Sequence, residues 1–90
     1  MKKSDLKDTM VVKIEWAEEL YVKINNLLFN LTGFLTLDRY NEDLTHITHP
    51  QLNIIEVYEI KENVTLENLG ELLRPVDDDN KLNKIWERGN

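Results

Sequence analysis

Polar and apolar side chains alternate along the first third of the chain. In the run that starts at Met10, one face takes Val12, Ile14 and Trp16, and the other takes Val11, Lys13 and Glu15. Period-two alternation predicts a half-buried strand. A second run places Leu20, Val22 and Ile24 on one face, so the two runs predict an antiparallel hairpin. Its turn type and register stay open, because Ala17-Glu18-Glu19 stands where an Asn-Gly or Asp-Gly turn is usual.

Turn signals divide the middle of the chain into further strands. Asn25-Asn26 precedes a predicted strand over 27–31, and Thr32-Gly33 precedes another over 34–37. Residues 38–50 lack periodicity and predict a loop with one helical turn around Tyr40 to Leu44. Residues 53–60 are dense in β-branched side chains, which is typical of a strand.

The hydrophobic period changes near the C-terminus. Leu66, Leu69, Leu72 and Leu73 lie three or four positions apart, which predicts a short helix over 65–73. Arg74-Pro75 ends this helix. Residues 76–80 then predict an exposed acidic loop, and 82–88 predict a closing strand that carries Trp86.

This succession of elements predicts a mainly β fold in one domain over 1–90. The chain length and turn spacing favour a small antiparallel SH3-like barrel of five or six strands with one short C-terminal helix, because closure removes exposed strand edges. The alternative is an open α+β sheet with the 65–73 helix across one face. Trp16, Phe29 and Phe34 are in phase with aliphatic neighbours, so we expect them in the core.

Charge is concentrated in one segment. The formal net charge is −6, and residues 38–79 hold eleven acidic side chains against three basic ones. Such a segment disfavours direct binding to nucleic acid, whose backbone is anionic. The acidic segment either keeps the protein soluble or forms a face that binds a basic groove on another protein. The charged start of the chain, followed by no long apolar run, predicts a cytoplasmic protein without a signal peptide or membrane span.

Reactive side chains do not assemble into a catalytic or metal-binding motif. His46 and His49 are followed by Pro50, which argues against the helix that would bring both imidazoles to one zinc ion. Asp77-Asp78-Asp79-Asn80 lacks the spaced ligands of a calcium loop. The chain has no cysteine, and its single serine, Ser4, has no nucleophile elbow. We therefore expect a protein that is not an enzyme and binds no metal or cofactor.

Four short motifs resemble those of a known group of proteins. They are Ser4 to Val12, Leu37 to Leu44, Ile54 to Tyr58, and Ile85 to Arg88. The pattern resembles that of small phage and prophage proteins of Gram-positive bacteria. Members of that family usually have Gly where this chain has Thr9, an Asn-Gly hairpin turn, and Lys where it has Glu56. The resemblance implies a phage setting, a similar fold and no known catalytic residues.

The outer surface is predicted to be the working part of the molecule. Tyr21 alternates with Leu20 and Val22, so we expect it on an outer face, where tyrosine often anchors interfaces. Together with the acidic segment it gives a predicted partner-binding set of Tyr21, Glu42, Asp43, Glu56, Tyr58, Glu59, Glu62, Asp77, Asp78 and Asp79. The phage setting implies a protein that binds a host or phage protein with a basic surface. The most specific form of this hypothesis is an acidic, anti-CRISPR-like inhibitor of a host defence or nucleic-acid enzyme.

Two other functions stay open on the sequence. Lys81, Lys84 and Arg88 beside Trp86 would suit a small-barrel nucleic-acid binder that stacks bases on the indole. A minor virion or assembly component is the other alternative. Apolar side chains on both faces of 27–31 and 54–60 further indicate a covered outer face or a homodimer.

Overall fold

Six strands form where the apolar side chains alternate. The computed structural model describes residues 1–61 and 82–89. In that part of the chain the strands are β1 (Val11–Ile14), β2 (Tyr21–Ile24), β3 (Leu27–Phe29), β4 (Phe34–Thr36), β5 (Ile54–Ile60) and β6 (Leu82–Glu87). They make one antiparallel sheet in the order β4-β3-β2-β1-β5-β6. The prediction of a mainly β fold is confirmed.

Closure of the sheet into a barrel is not confirmed. Within the described ranges the sheet ends at β4 on one side and at β6 on the other, so it is open there. The helical elements in these ranges are short 3₁₀ turns at Lys3–Asp5, Leu37–Arg39 and Pro50–Leu52. The helix expected over 65–73 and the acidic loop expected over 76–80 lie outside the described residues.

The register of the first hairpin decides which side chains share a face. Val11 lies opposite Val22, and Val12 lies opposite Tyr21. Tyr21 therefore points to the same face as Val12 and packs against the main core. The expectation that Tyr21 stands on an outer face is wrong, because alternation within one strand does not set its phase relative to the next strand. The predicted turn at Asn25-Asn26 is confirmed, since Ile24 lies opposite Leu27.

Several strands are shorter than predicted. The first ends at Ile14, so Trp16 lies in the following turn with 76% of its surface exposed. Phe34 begins the edge strand β4 and is 64% exposed. The expectation that these two rings are buried is wrong. Alternation assigns a side chain to a face of the sheet only within the strand, and that face is buried only where other residues cover it. Phe29, in β3, is half-buried.

The main core fills one face of the sheet. It consists of Leu6, Met10, Val12, Ile14, Leu28, Leu37, Tyr40, Leu44, Ile54 and Val57. The N-terminal segment supplies Leu6, and the connection from β4 to β5 supplies Tyr40 and Leu44. These irregular segments therefore cover the face of the sheet that a helix or a second sheet covers in other small folds.

Hydrogen bonds join the segments of this cover to one another. The backbone N–H of Lys3 donates to the carbonyl of Glu42 at 2.7 Å, and the Lys3 ammonium donates to the carbonyl of Tyr40 at 2.8 Å. The hydroxyl of buried Tyr40 donates to the carbonyl of Leu52 at 2.7 Å, which satisfies a polar group inside the core. The helical turn expected around Tyr40 to Leu44 occurs instead at Leu37–Arg39.

A bulge lets β5 place two residues three positions apart in the main core. Lys13 lies opposite Glu56, whereas Ile14 lies opposite Ile54, so Ile55 is an extra residue in the ladder. The extra residue shifts the alternation by one. Ile54 and Val57 consequently point to the same face and pack together in the core.

The opposite face carries a second, smaller cluster. Its buried members are Val11, Val22, Tyr58 and Leu82, with Leu20, Phe29 and Ile60 packed against them. Val11 lies between Val22 and Tyr58 in the neighbouring strands and is fully buried. The sheet thus buries apolar side chains on both faces, as the sequence of 54–60 indicates.

Truncating a core side chain is expected to destabilise the fold strongly. Leu28 is fully buried in the main core, so Leu28→Ala should lower the free energy of unfolding by about 2–5 kcal/mol. Leu31 lies three positions further along and is 50% exposed, so Leu31→Ala should change it by no more than about 0.5 kcal/mol. Urea unfolding measures both values. Equal losses would contradict the assignment of Leu28 to the core.

Replacing a strained threonine is expected to stabilise the fold. Thr9 has a φ of 75°, a left-handed conformation that glycine adopts without cost. Its side chain is exposed, so Thr9→Gly should raise the free energy of unfolding by about 1 kcal/mol. The control is Thr32→Gly at an exposed residue that is not among those with positive φ, and it should lower stability by up to about 1 kcal/mol. A loss in both variants would contradict the assignment of strain to Thr9.

Candidate functional site

An open acidic cleft lies where β1, β5 and β6 meet. It has a volume of about 380 Å³ and is lined by Glu15, Ile55, Glu56, Glu87 and Arg88. Glu15 directly follows β1, and its backbone N–H donates to the carbonyl of Asn53 at 3.0 Å, just before β5 begins. Glu56 and Glu87 lie opposite each other on β5 and β6. The β5 bulge brings its extra residue, Ile55, into the same wall.

Arg88 borders the cleft, but backbone carbonyls occupy its guanidinium. Its Nη2 donates to the carbonyls of Ile54 and Asp43, both at 3.0 Å, and its Nε donates to Ile54 at 3.3 Å. The guanidinium also lies over the ring of Trp86, with 5.3 Å to the centroid. Arg88 thereby fastens the end of β6 to β5 and to the loop that covers the core. Its charge offsets only one of the three glutamates in the wall.

Lys84 is the second cation at this end of the sheet, and two glutamates hold it. Its ammonium forms ion pairs with Glu56 and, at 3.3 Å, with Glu87. These hydrogen bonds, first to Glu56 and then to Glu87, raise the pKa of Lys84 above its ordinary value. The ammonium also lies 5.9 Å from the ring centroid of Tyr58. Glu15 is exposed and has no ion pair among the described residues.

The turn after β1 carries an exposed aromatic ring among acids. Trp16 is the neighbour of Glu15, and Glu18 and Glu19 follow in the same connection to β2. The backbone N–H of Trp16 donates to the carbonyl of Gln51 at 3.2 Å, which fixes the turn against the Pro50–Leu52 helix. We call residues 15–19 the acidic turn. With the cleft it forms a surface that combines carboxylates with an indole, the groups that receive basic side chains.

Four of the predicted partner-binding residues are acids that the structure describes. Glu56 lines the cleft, and Asp43 lies beside it because its carbonyl accepts from Arg88. The Asp43 carboxylate accepts from the side chain and backbone of Thr45, which lower its pKa. Glu42 faces the N-terminal segment and accepts from the backbone of Ser4 at 3.4 Å. Glu59 is exposed on β5 and lines a different depression with Lys7, Asp8, Thr9, Met10 and Ile60.

The two predicted tyrosines do not belong to this surface. Tyr21 packs against the main core, and burial followed by the charge of Glu19 raises the pKa of its hydroxyl. Tyr58 belongs to the second cluster. Glu62, Asp77, Asp78 and Asp79 lie outside the described residues. Sequence reasoning missed Trp16, Glu15 and Glu87, although the acids that follow Trp16 were a signal that β1 ends before it.

Three of the four residues considered for nucleic-acid binding, Trp86, Lys84 and Arg88, contact other groups of the protein. Trp86 packs against the main core with Ile85, and Arg88 covers its ring. Lys84 is paired with two carboxylates, and Arg88 donates to backbone carbonyls. Lys81 lies outside the described residues. Among the residues that the structure describes here, Trp86, Lys84 and Arg88 therefore offer neither a free stacking platform nor free cations.

The two histidines form a local hydrogen-bonded turn. The Nδ1 atom of His46 accepts from the backbone N–H groups of Thr48 at 3.2 Å and His49 at 3.1 Å. The His46 ring also meets Tyr40 edge-on, with 5.0 Å between centroids. No group of three side chains suited to hold a metal ion occurs within 1–61 and 82–89. These bonds give His46 a part in shaping the loop that covers the core.

No protein-family model matches the chain, and no match was found among curated proteins or solved structures. Among the described residues, no helix is long and apolar enough to cross a membrane.

Acidification is expected to weaken the fold through His46. Burial, and then the charges of His49 and Arg39, lower the pKa of His46 below its ordinary value. The unfolded chain therefore takes up this proton more readily than the folded chain does. The stability that neutral His46 contributes is fully present above the unfolded pKa of about 6.5. This contribution is lost as the pH falls through the lower pKa of the folded state. Urea unfolding at about pH 7.5 and pH 5, a window set by that pKa, measures the loss.

The variant His46→Asn tests this assignment. An amide oxygen can still accept the backbone N–H groups of Thr48 and His49, but it does not titrate. We expect the variant to lose less stability than the unaltered protein across the same pH interval. An unchanged pH dependence would show that another group is responsible.

Proposed function

We propose that the protein is a non-enzymatic binding protein that takes a basic segment of another protein in the acidic cleft and on the acidic turn. The observation that carries the proposal is the position of exposed Trp16 next to Glu15, whose carboxylate lines a cleft shared with Glu56 and Glu87. An arginine or lysine of the partner would pair with the carboxylates and lay its stem or cation on the indole.

Electrostatics support a basic protein as partner. The net charge of −6 attracts cationic surfaces over a distance of roughly a Debye length, about 10 Å at 0.1 M salt. The same charge repels nucleic acid, and two cations near the cleft, Lys84 and Arg88, are already paired with carboxylates or backbone carbonyls. Binding to a basic groove is thus favoured over direct binding to DNA or RNA.

The resemblance to phage proteins gives this proposal its setting. In a host cytoplasm, a small acidic protein that fills the basic groove of a defence or nucleic-acid enzyme would act as an inhibitor. At such a groove, the acidic cleft and the acidic turn would receive the basic side chains of the enzyme. Asp43, beside the cleft, extends the same surface, whereas Glu42 and Glu59 lie on other parts of the molecule.

Binding of a short arginine-rich peptide tests the proposal. Anisotropy of the labelled peptide should report binding at low ionic strength that weakens as salt is added. Trp16→Ala should reduce the affinity about tenfold or more, since aromatic anchors carry much of an interface's energy. Glu15→Gln with Glu87→Gln should reduce it roughly threefold to tenfold.

A charge-matched control separates the cleft from general acidity. Glu42→Gln with Glu59→Gln removes the same charge from acids outside the cleft, and we expect an affinity close to that of the unaltered protein. An equal loss of affinity in both double variants would show that the peptide binds by non-specific charge attraction and not in the cleft. Absence of peptide binding at low salt, or tighter binding of single-stranded DNA, would overturn the proposal.

A further inference from the structure

A charge-free hairpin occupies the edge of the sheet opposite the acidic cleft. Residues 24–37, which include β3 and β4, contain no charged side chain in a protein with 31% charged residues. Three of its apolar side chains, Ile24, Leu31 and Phe34, are exposed. The rings of Phe34 and Phe29 lie 6.0 Å apart and extend the second cluster to this edge.

β4 is the edge strand on this side within the described part of the chain. Two backbone hydrogen bonds flank the Leu28–Leu35 pair along the hairpin. One runs from the N–H of Asn30 to the carbonyl of Gly33, and the other from the N–H of Leu37 to the carbonyl of Asn26. In an antiparallel ladder this spacing turns the N–H and C=O of Leu35 toward β3. The N–H and C=O groups of Phe34 and Thr36 then point away from β3.

Within 1–61 and 82–89, none of the usual protections blocks β4. Edge strands are commonly blocked by lysine, proline or a bulge. β4 is Phe34-Leu35-Thr36, and its pairing with β3 is regular. A strand with outward-facing backbone groups and an exposed aromatic ring is a template for another strand.

We propose that β4 pairs with β4 of a second copy of the chain, in antiparallel orientation, about a two-fold axis at Leu35. In this register Phe34 lies opposite Thr36 of the second copy, and their outward groups form two hydrogen-bonded pairs related by the axis. Leu35 lies opposite its own equivalent. The two sheets become one continuous sheet, and each Phe34 gains the surface of the other hairpin.

The lack of charge in the 24–37 hairpin favours a second copy of the chain over a basic partner at this edge. Two molecules of net charge −6 repel each other wherever acidic surfaces meet, but the 24–37 hairpin brings no charge to the contact. Residues 24–37 themselves offer no carboxylate to a cationic segment, and the carboxylate of Asp38, just after them, already accepts from the Asn26 side chain at 2.7 Å. Because β4 has three residues, we expect a weak dimer that dissociates on dilution. The acidic cleft lies beyond β1 and stays open, so this inference is independent of the proposed function.

Sedimentation of the full chain over a range of concentrations tests the dimer. We expect the dimer fraction to rise with concentration and Phe34→Lys to remain monomeric throughout, because the two new ammonium groups would lie on the same face of the joined sheet, diagonally across the axis. Ile47→Lys is the matched control, since it replaces an exposed apolar residue in the loop between β4 and β5. It should dimerise like the unaltered chain. A monomer at every concentration, or a dimer that survives Phe34→Lys, would overturn the proposal.

Disulfide trapping tests the register and does not depend on the folding of the lysine variant. The chain has no cysteine, so Leu35→Cys introduces the only thiol. The Leu35 pair would place its Cα atoms roughly 4.5 Å apart, within the range of a disulfide. Oxidation should link Leu35→Cys into covalent dimers much faster than the exposed control Ile47→Cys. Equal rates would overturn the proposed register. A different protein pairing with β4 would leave the purified chain monomeric and overturn the second copy as occupant.

Discussion

The central strand β1 is buried on both faces, and this constraint organises the sheet. Val11 and Val12 are both fully buried, and their side chains point to opposite faces. Val11 is held between Val22 and Tyr58, and Val12 between Tyr21 and Val57. If β2 or β5 slipped by one residue along β1, its side chains would move to the opposite face of the sheet and leave their own cluster. Both ladders therefore have a single favourable register. The other strands take their faces from β1.

The acidic cleft is a by-product of how β5 satisfies that register. Pairing Lys13 with Glu56 while keeping Ile54 in the main core requires the extra residue Ile55. The bulge turns Ile55 outward into the cleft and leaves Glu56 facing β6, where Glu87 lies opposite it. Lys84 and Arg88 then hold these strand ends together through ion pairs and carbonyl contacts. Core packing and the placement of the carboxylates are therefore coupled at the same residues.

The two sides of the sheet differ in the kind of contact they can make. The side with β6 carries carboxylates, paired cations and, in the acidic turn, an exposed indole. The side with β4 carries no charge from 24 to 37 and an exposed phenyl ring on an edge strand. Electrostatic attraction acts over a long range and depends on salt, whereas strand pairing and apolar contact are short-ranged. The described residues thus separate a charged surface from a neutral edge.

The sequence by itself determined the mainly β fold, the places of the strands and the turn at Asn25-Asn26, because alternation and turn residues are local properties. It also determined the charge-free stretch 24–37 and the acidic excess of 38–79. Only the tertiary structure decided that Tyr21 packs in the core and Trp16 does not. These outcomes depend on the register between strands and on how far the cover over the main core extends. For the same reason the grouping of Glu15, Glu56 and Glu87 was not visible in the sequence: a bulge and cross-strand pairing join residues far apart in the chain, and no local pattern encodes either.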